Sequence, residues 1–80
     1  MLHVAHVRHV AGHTLWVRFS DGTEGEVDLA EDLWGEVFEP LRDVALFKQA
    51  AIDPTFETVC WPNGADMAPE FLFQRLRVRV

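Results

Sequence analysis

Residues 15–29 carry the feature that most restricts the fold of this chain. Apolar and other side chains alternate over residues 15–20, as in a strand with one buried face. Asp21-Gly22 follows, and this pair favours the positive φ angles of a tight hairpin turn. The alternation then resumes, with Gly25, Val27 and Leu29 on one face and Glu24, Glu26 and Asp28 on the other. The segment predicts an antiparallel hairpin.

A further strand is predicted before the hairpin. Residues 3–10 are rich in β-branched side chains, and Ala11-Gly12-His13 provides a turn into the next strand. Val4, Val7 and Val10 recur every third residue, which fits neither a strand nor a helix. A β-bulge reconciles this spacing with a strand, because it adds one residue to one side of the pair. We therefore expect a three-stranded meander.

The rest of the chain predicts shorter elements. Residues 30–38 fit a short helix or an irregular loop, and Asp43 is placed to cap a short helix. Residues 50–53 and 56–61 predict a second strand pair, which the turn Pro62-Asn63-Gly64 ends. Asp66 is expected to cap a last helix over residues 67–76, and residues 77–80 fit a frayed end or a short added strand.

These segments predict an α+β fold, in which a C-terminal helix and a short middle helix pack on a small antiparallel sheet. A length of 80 residues suits one domain, residues 1–80. No apolar run reaches the roughly 18 residues of a membrane span, and the single cysteine and lack of a leader predict the cytosol. The predicted core consists of Leu15, Val17, Phe19, Val27, Val59, Trp61, Phe71 and Leu72.

The charge distribution argues against nucleic-acid binding. The formal net charge is −6, whereas a protein that binds phosphates normally carries a basic surplus. Residues 21–39 contain no Lys or Arg, and the compensating charge lies near the end of the chain. This layout suits a basic protein partner, but taken alone we favour the simpler interpretation, a solvated acidic face that keeps the protein soluble. The candidate partner-binding residues are Glu24, Glu26, Asp28, Arg77 and Arg79.

Several short motifs, read in order, resemble one bacterial family, the domain of unknown function 2442. They are Phe19-Ser20-Asp21-Gly22, Val27-Asp28-Leu29, Phe38-Glu39-Pro40-Leu41-Arg42-Asp43 with Phe47, and Trp61-Pro62-Asn63-Gly64-Ala65-Asp66 with Pro69-Glu70. The last run is the most specific. The resemblance implies a small α+β domain, often encoded beside another small protein in a toxin–antitoxin-like pair. It implies no catalytic residues.

Neither the histidines nor the cysteine predicts a metal site or an enzyme. Four histidines, His3, His6, His9 and His13, lie in the first strand and the turn after it, and on a strand residues three apart point to opposite faces. His3 and His9 share a face but lie about 20 Å apart, too far to ligate one ion. Cys60 has no basic sequence neighbour that would lower its pKa, so a buried, inert thiol is expected. We expect no metal and no other cofactor.

The run from Trp61 to Asp66 allows two interpretations. As a ligand site, Trp61, Asn63 and Asp66 would offer an indole beside polar groups. In the structural interpretation, the indole packs in the core, the asparagine turns the chain and the aspartate caps the helix. We favour this second interpretation. We therefore expect a non-catalytic protein-interaction module with a small, co-encoded protein partner, and a homodimer through a sheet edge fits as well. The alternative is a small-ligand sensor with a pocket near Trp61 and Asp66.

Overall fold

The structure is a computed structural model that describes residues 1–77. Within these residues the chain forms two antiparallel sheets and a few short helices, which confirms the α+β class. No helix of this part of the chain is long and apolar enough to cross a membrane. The elements are β1 (Val4–Ala11), β2 (Thr14–Phe19), β3 (Glu24–Asp28), 3-10 helices Ala30–Asp32 and Glu39–Arg42, α1 (Val44–Phe47), β4 (Ala51–Asp53), β5 (Thr58–Cys60), β6 (Asp66–Met67) and α2 (Pro69–Gln74).

The first sheet is the predicted meander, in the order β1-β2-β3. The hairpin between β2 and β3 is confirmed, but of the pair Asp21-Gly22 only Gly22 has the predicted positive φ, at +89°. The Asp21 carboxylate instead accepts a hydrogen bond from the Thr23 N–H at 2.9 Å. In β1 the register shifts twice, between Val4 and His6 and again between His9 and Ala11, as the predicted bulge requires. These shifts explain why valines at an irregular spacing share one strand.

The second sheet has the order β4-β5-β6. The predicted strand pair is β4 and β5, and the Asp53 carboxylate accepts hydrogen bonds from the N–H groups of Thr55 and Phe56 in the turn between them. The third strand, β6, has only two residues and was not predicted from the sequence. A strand this short leaves no alternating pattern, so the sequence carried no signal for it.

The predicted C-terminal helix is present but shorter than residues 67–76, and the prediction that Asp66 caps it was wrong. Asp66 pairs with Cys60 and Met67 pairs with Val59, so both lie in β6. The helix α2 begins at Pro69, and its N-cap residue is Ala68, whose side chain makes no capping hydrogen bond. The pairing of β6 with a distant strand prevailed over the local capping preference of aspartate.

The segment between the sheets is mostly irregular. It holds the two 3-10 helices, separated by a loop in which Gly35 has a φ of +90°. Pro40 lies in the first turn of the second 3-10 helix, where its missing N–H costs no hydrogen bond. Asp43 caps α1 as predicted, because its carboxylate accepts a hydrogen bond from the Ala45 N–H at 3.0 Å.

One apolar core extends across both sheets, and β1 contacts β4 and β5. The predicted core residues are buried, apart from Phe71, which is half-buried. Residues that the sequence analysis did not place in the core come mainly from the short elements and loops. The buried apolar residues are Val4, Leu15, Val17, Phe19, Val27, Leu29, Leu33, Leu41, Phe47, Val59, Trp61, Ala65, Met67 and Leu72.

Candidate functional site

An open groove of about 400 Å³ lies where the loop after the first 3-10 helix meets β6 and α2. Its walls are largely apolar and aromatic, with carboxylates among them. The lining residues are Asp32, Trp34, Phe38, Asp66, Met67, Ala68, Phe71 and Arg75. Concave, apolar sites with a few polar groups are where proteins bind ligands and partner side chains, so this groove is the candidate site.

The aromatic residues of the groove come from two separate parts of the chain. Trp34 and Phe38 flank the turn at Gly35, and Phe71 projects from α2. The Trp34 side chain is 69% exposed, whereas Phe38 and Phe71 are half-buried. Single exposed apolar residues are common on soluble proteins, but an exposed indole beside two further rings in one concavity is typical of binding sites.

An arginine forms one wall of the groove. Arg75 donates two hydrogen bonds to the Asp32 carboxylate, with Nε–Oδ2 and Nη2–Oδ1 distances of 3.0 and 2.9 Å. Its guanidinium carbon lies 3.6 Å from the centroid of the Phe71 ring. A bidentate ion pair stacked on an aromatic face is a well-ordered arrangement. Arg75 therefore neutralises Asp32 and holds α2 against the first 3-10 helix.

Asp66 supplies a second carboxylate to the same groove. It is exposed in β6, and within residues 1–77 its side chain takes part in no ion pair. Asp32 is already compensated by Arg75, so the groove retains the negative charge of Asp66. The site thus combines aromatic faces with one uncompensated carboxylate, which is the chemistry that attracts a cation.

Only one of the three residues predicted as a ligand site lines this groove. Trp61 is buried, and its Nε1–H donates to the Phe47 carbonyl at 2.8 Å. Asn63 donates from Nδ2 to the Val37 carbonyl at 2.9 Å and accepts from the Ala65 N–H. Both side chains are therefore engaged in holding loops in place, whereas Asp66 borders the groove.

Sequence reasoning missed the aromatic half of the site. Trp34 and Phe38 lie in a segment with no periodicity, and Phe71 was assigned to the core. One signal was present in the sequence, since Trp34-Gly35 interrupts the acidic stretch of residues 21–39. A large aromatic residue beside a glycine in a charged, irregular segment has no strand or helix of its own to bury it, which favours exposure.

The predicted partner-binding residues of β3 have basic neighbours. Glu24 lies 4.0 Å from Arg18, and Asp28 lies 3.2 Å from Arg77. The Arg77 N–H also donates to the Glu26 carbonyl at 2.8 Å, so the end of the described chain pairs with β3. Gly25 permits this approach, because a Cβ there would lie 2.7 Å from the Arg77 carbonyl oxygen. Arg77 and the acidic strand β3, which are distant in sequence, are therefore adjacent in space.

Arg79, the last of the predicted partner-binding residues, lies outside the described residues, as does most of the segment 77–80.

The outer face of the first sheet carries mixed charge. Trp16 in β2 lies between Arg8 in β1 and Glu26 in β3. The Arg8 guanidinium carbon lies 5.0 Å from the centroid of the Trp16 ring. Arg8 and Arg18 therefore lie on the same face of the sheet as the acidic residues of β3.

The histidines in and next to β1 interact with different parts of the molecule. His3 lies 3.2 Å from Glu57, while His9 and His13 donate from Nε2 to the carbonyls of Gly12 and Arg42, both at 2.9 Å. Within residues 1–77, no group of three or more histidine, cysteine, aspartate or glutamate side chains is arranged to hold a metal ion. The His9 and His13 rings pack edge-on against Phe47 instead.

Cys60 is half-buried in the central strand of the second sheet. Burial raises the pKa of its thiol, and the nearby Asp53 and Asp66 carboxylates raise it further. Because the thiolate is the nucleophile, a raised pKa lowers the reactivity of this side chain at neutral pH. The geometry therefore gives Cys60 none of the features of an activated cysteine.

Comparison with known proteins identifies one family. No curated protein and no solved structure matches the chain. A family model described as "Protein of unknown function (DUF2442)" matches residues 4–77. The matched residues run from the start of β1 to the arginine that pairs with β3, and they include all of the groove-lining residues named above. The chain therefore belongs to the DUF2442 family of proteins of unknown function.

Proposed function

We propose that this domain is a non-catalytic protein-interaction module that binds a small basic partner protein in the cytosol. The observation that carries the proposal is the groove, which is lined both by an indole that is 69% exposed and by the Asp66 carboxylate, which has no ion-pair partner within residues 1–77. Tryptophan is enriched among the residues that contribute most to protein–protein affinity, because it removes a large apolar area from water on binding. Asp66 then favours a partner of opposite charge.

The charge of the surrounding surface supports the same partner. The net charge is −6, and the segment that contributes Trp34 also carries the exposed residues Glu31, Glu36 and Glu39. Complementary charge speeds association and excludes partners of like charge. The groove therefore combines an apolar anchor with electrostatic selection for a basic surface. A co-encoded small protein, as in the two-protein units that the family resemblance suggests, is the partner we propose.

The chemistry of the groove supports a binding role over a catalytic one. Its ionisable lining residues are Asp32, Asp66 and Arg75, of which two form an ion pair with each other. The described lining includes no histidine, cysteine, serine or lysine that would pair as nucleophile and base. Asp32 and Arg75 are best explained as structural, so Asp66 and the aromatic rings remain available for a partner.

Co-expression with a small basic protein encoded beside this gene tests the proposal. We expect a stoichiometric complex on size-exclusion chromatography that Trp34→Ser abolishes. Phe56→Ser is the matched control, since Phe56 is 71% exposed but lies in the turn between β4 and β5, outside the groove. A complex that survives Trp34→Ser, or one that both variants weaken equally, would contradict docking at the groove.

The acidic face of β3 is a second surface that the same complex can test. Charge reversal at Glu24 and Glu26 is expected to release the partner if this strand contributes to docking. Both residues have neighbours in the fold, Arg18 and Trp16, so their contribution is expected to be smaller than that of Trp34. A homodimer through a sheet edge stays a prediction for sedimentation measurements, and Arg77 already occupies part of the β3 edge.

The groove also gives the ligand-sensor alternative a specific basis. Its volume of about 400 Å³ lies within the usual range for small-molecule sites, roughly 300–1,000 Å³. Trp61 does not reach it, so the pocket would be bordered by Trp34 and Asp66 instead. A domain that stays monomeric with its co-encoded neighbour, and whose melting temperature rises with a metabolite, would favour the sensor.

A further inference from the structure

We infer that the groove recognises an arginine or lysine side chain of the partner, with the cation at the Asp66 carboxylate and the side chain against Trp34. This inference rests on the proposed function and specifies its chemistry. Two sets of groups line the same groove. Each set joins a carboxylate to aromatic rings, but only one of them has a cation from the described part of the chain.

The first set shows that this groove stabilises a guanidinium. Arg75 lies over the Phe71 ring at 3.6 Å and makes two hydrogen bonds of about 3 Å to Asp32. The aromatic face attracts the cation through its quadrupole, and the carboxylate supplies charge and acceptors. The protein therefore already uses an aromatic ring with a carboxylate to hold a basic side chain at this place.

The second set consists of Trp34, Phe38 and Asp66. Arg75 is the one basic residue among the described lining residues, and its guanidinium is occupied by Asp32. Indole gives the strongest cation–π attraction of the aromatic side chains, and that of Trp34 is largely exposed. The groups that would bind a second cation are thus present in the groove, and the cation has to come from outside residues 1–77.

The same arrangement disfavours other side chains. A carboxylate from a partner would meet Asp66, and it would gain Arg75 only by breaking a bidentate ion pair. A purely apolar side chain would fill the groove but would desolvate Asp66 without compensation. A long side chain with an apolar stem and a cationic end satisfies both parts, because the stem packs on the rings while the charge pairs with the carboxylate.

Two synthetic peptides test this chemistry on the full chain. One carries an arginine between two leucines, and its twin carries citrulline, which has nearly the same shape without the charge. Trp34 fluorescence in a Trp16→Phe background reports binding, because Trp61 is buried. We expect the arginine peptide to bind about tenfold more tightly than its twin, the usual effect of a charged hydrogen-bonding group. Asp66→Asn is expected to remove that preference, whereas Glu70→Gln, an exposed carboxylate outside the groove, leaves it unchanged.

The outcomes separate this inference from the proposed function. If Trp34→Ser releases the co-encoded partner but Asp66→Asn does not, and the two peptides bind equally or not at all, the cation inference is wrong while the interaction module stands. If the partner remains bound to the Trp34→Ser variant, docking at the groove fails, whatever the peptides do. A preference for the arginine peptide that depends on Asp66 supports the inference.

Discussion

Cys60 shows how the setting of a single residue determines its chemistry. Its thiol pKa is raised by burial and then by Asp53 and Asp66. At about pH 8 the thiolate fraction is therefore lower than that of an unfolded cysteine, and we expect slower alkylation by iodoacetamide in the folded chain. Asp66→Asn should increase the rate, because one carboxylate that raises the pKa is removed.

The same shift has a consequence for stability. The unfolded thiol has the lower pKa, so it releases its proton first as the pH rises, and the free energy of unfolding should fall through that range. Cys60→Ala should reduce this dependence on pH. If the alkylation rate of the folded chain equals that in urea, or does not respond to Asp66→Asn, the cause assigned to the pKa shift is wrong.

For single residues, the sequence predicted the structural role well where that role depends only on neighbours in the chain. Asp21, Asp43 and Asn63 form the turns and the cap that their side chains favour, because each bonds to a backbone group two residues away. Trp34 could not be assigned in this way. Whether an indole in an irregular loop is covered depends on elements distant in sequence, here β6 and α2.

At the scale of elements, the start of α2 gives a direct test of the revised boundary. Ala68 has the extended backbone of an N-cap residue but no side chain to accept a hydrogen bond. Ala68→Ser should therefore stabilise the protein by about 0.5–1 kcal/mol in urea denaturation. Asp66→Ala should cost less than about 0.5 kcal/mol, because Asp66 is an exposed strand residue. The opposite ranking would restore Asp66 as the cap.

The buried face of α2 can be tested in the same way. Leu72 is fully buried, whereas Gln74 on the same helix is exposed. Leu72→Ala should cost about 2–5 kcal/mol of unfolding free energy, the usual effect of a cavity in a packed core. Gln74→Ala serves as the control, with an expected change within about 0.5 kcal/mol. A loss below that figure for Leu72→Ala would mean that the helix packs through another face.

Strands in which the alternating pattern extends over several residues were predictable from the sequence, whereas a strand of only two residues was not. β2 and β3 alternate long enough to define a buried face, and even the bulge in β1 left a trace in the spacing of its valines. β6 consists of two residues that pair with β5, so no periodic signal exists. The local preference of Asp66 for a helix cap then gave the wrong boundary.

At the scale of the whole molecule, the core combines residues that the sequence marks with residues that it does not. Val17 and Val27 were predicted from alternation, whereas Leu33, Leu41 and Met67 lie in loops or very short elements. Their burial results from packing of the second sheet and the connecting segment against the first. The groove arises from the same packing, because it lies where the segment, β6 and α2 meet.

Because one core extends across both sheets, the chain should unfold as a single cooperative unit, as the prediction of one domain requires. In a urea titration followed by NMR, the amide signals of Val17 in β2 and Val59 in β5 should disappear at the same midpoint. Val4→Ala should lower both midpoints alike, since Val4 is buried in the shared core and its N–H donates to the Glu57 carbonyl beside β5. Ala5→Ser, at the exposed neighbouring position, should leave them unchanged. Two separate midpoints would show that the two sheets unfold independently. The groove, which lies between the connecting segment, β6 and α2, would then be lost as soon as the less stable of the two units unfolds.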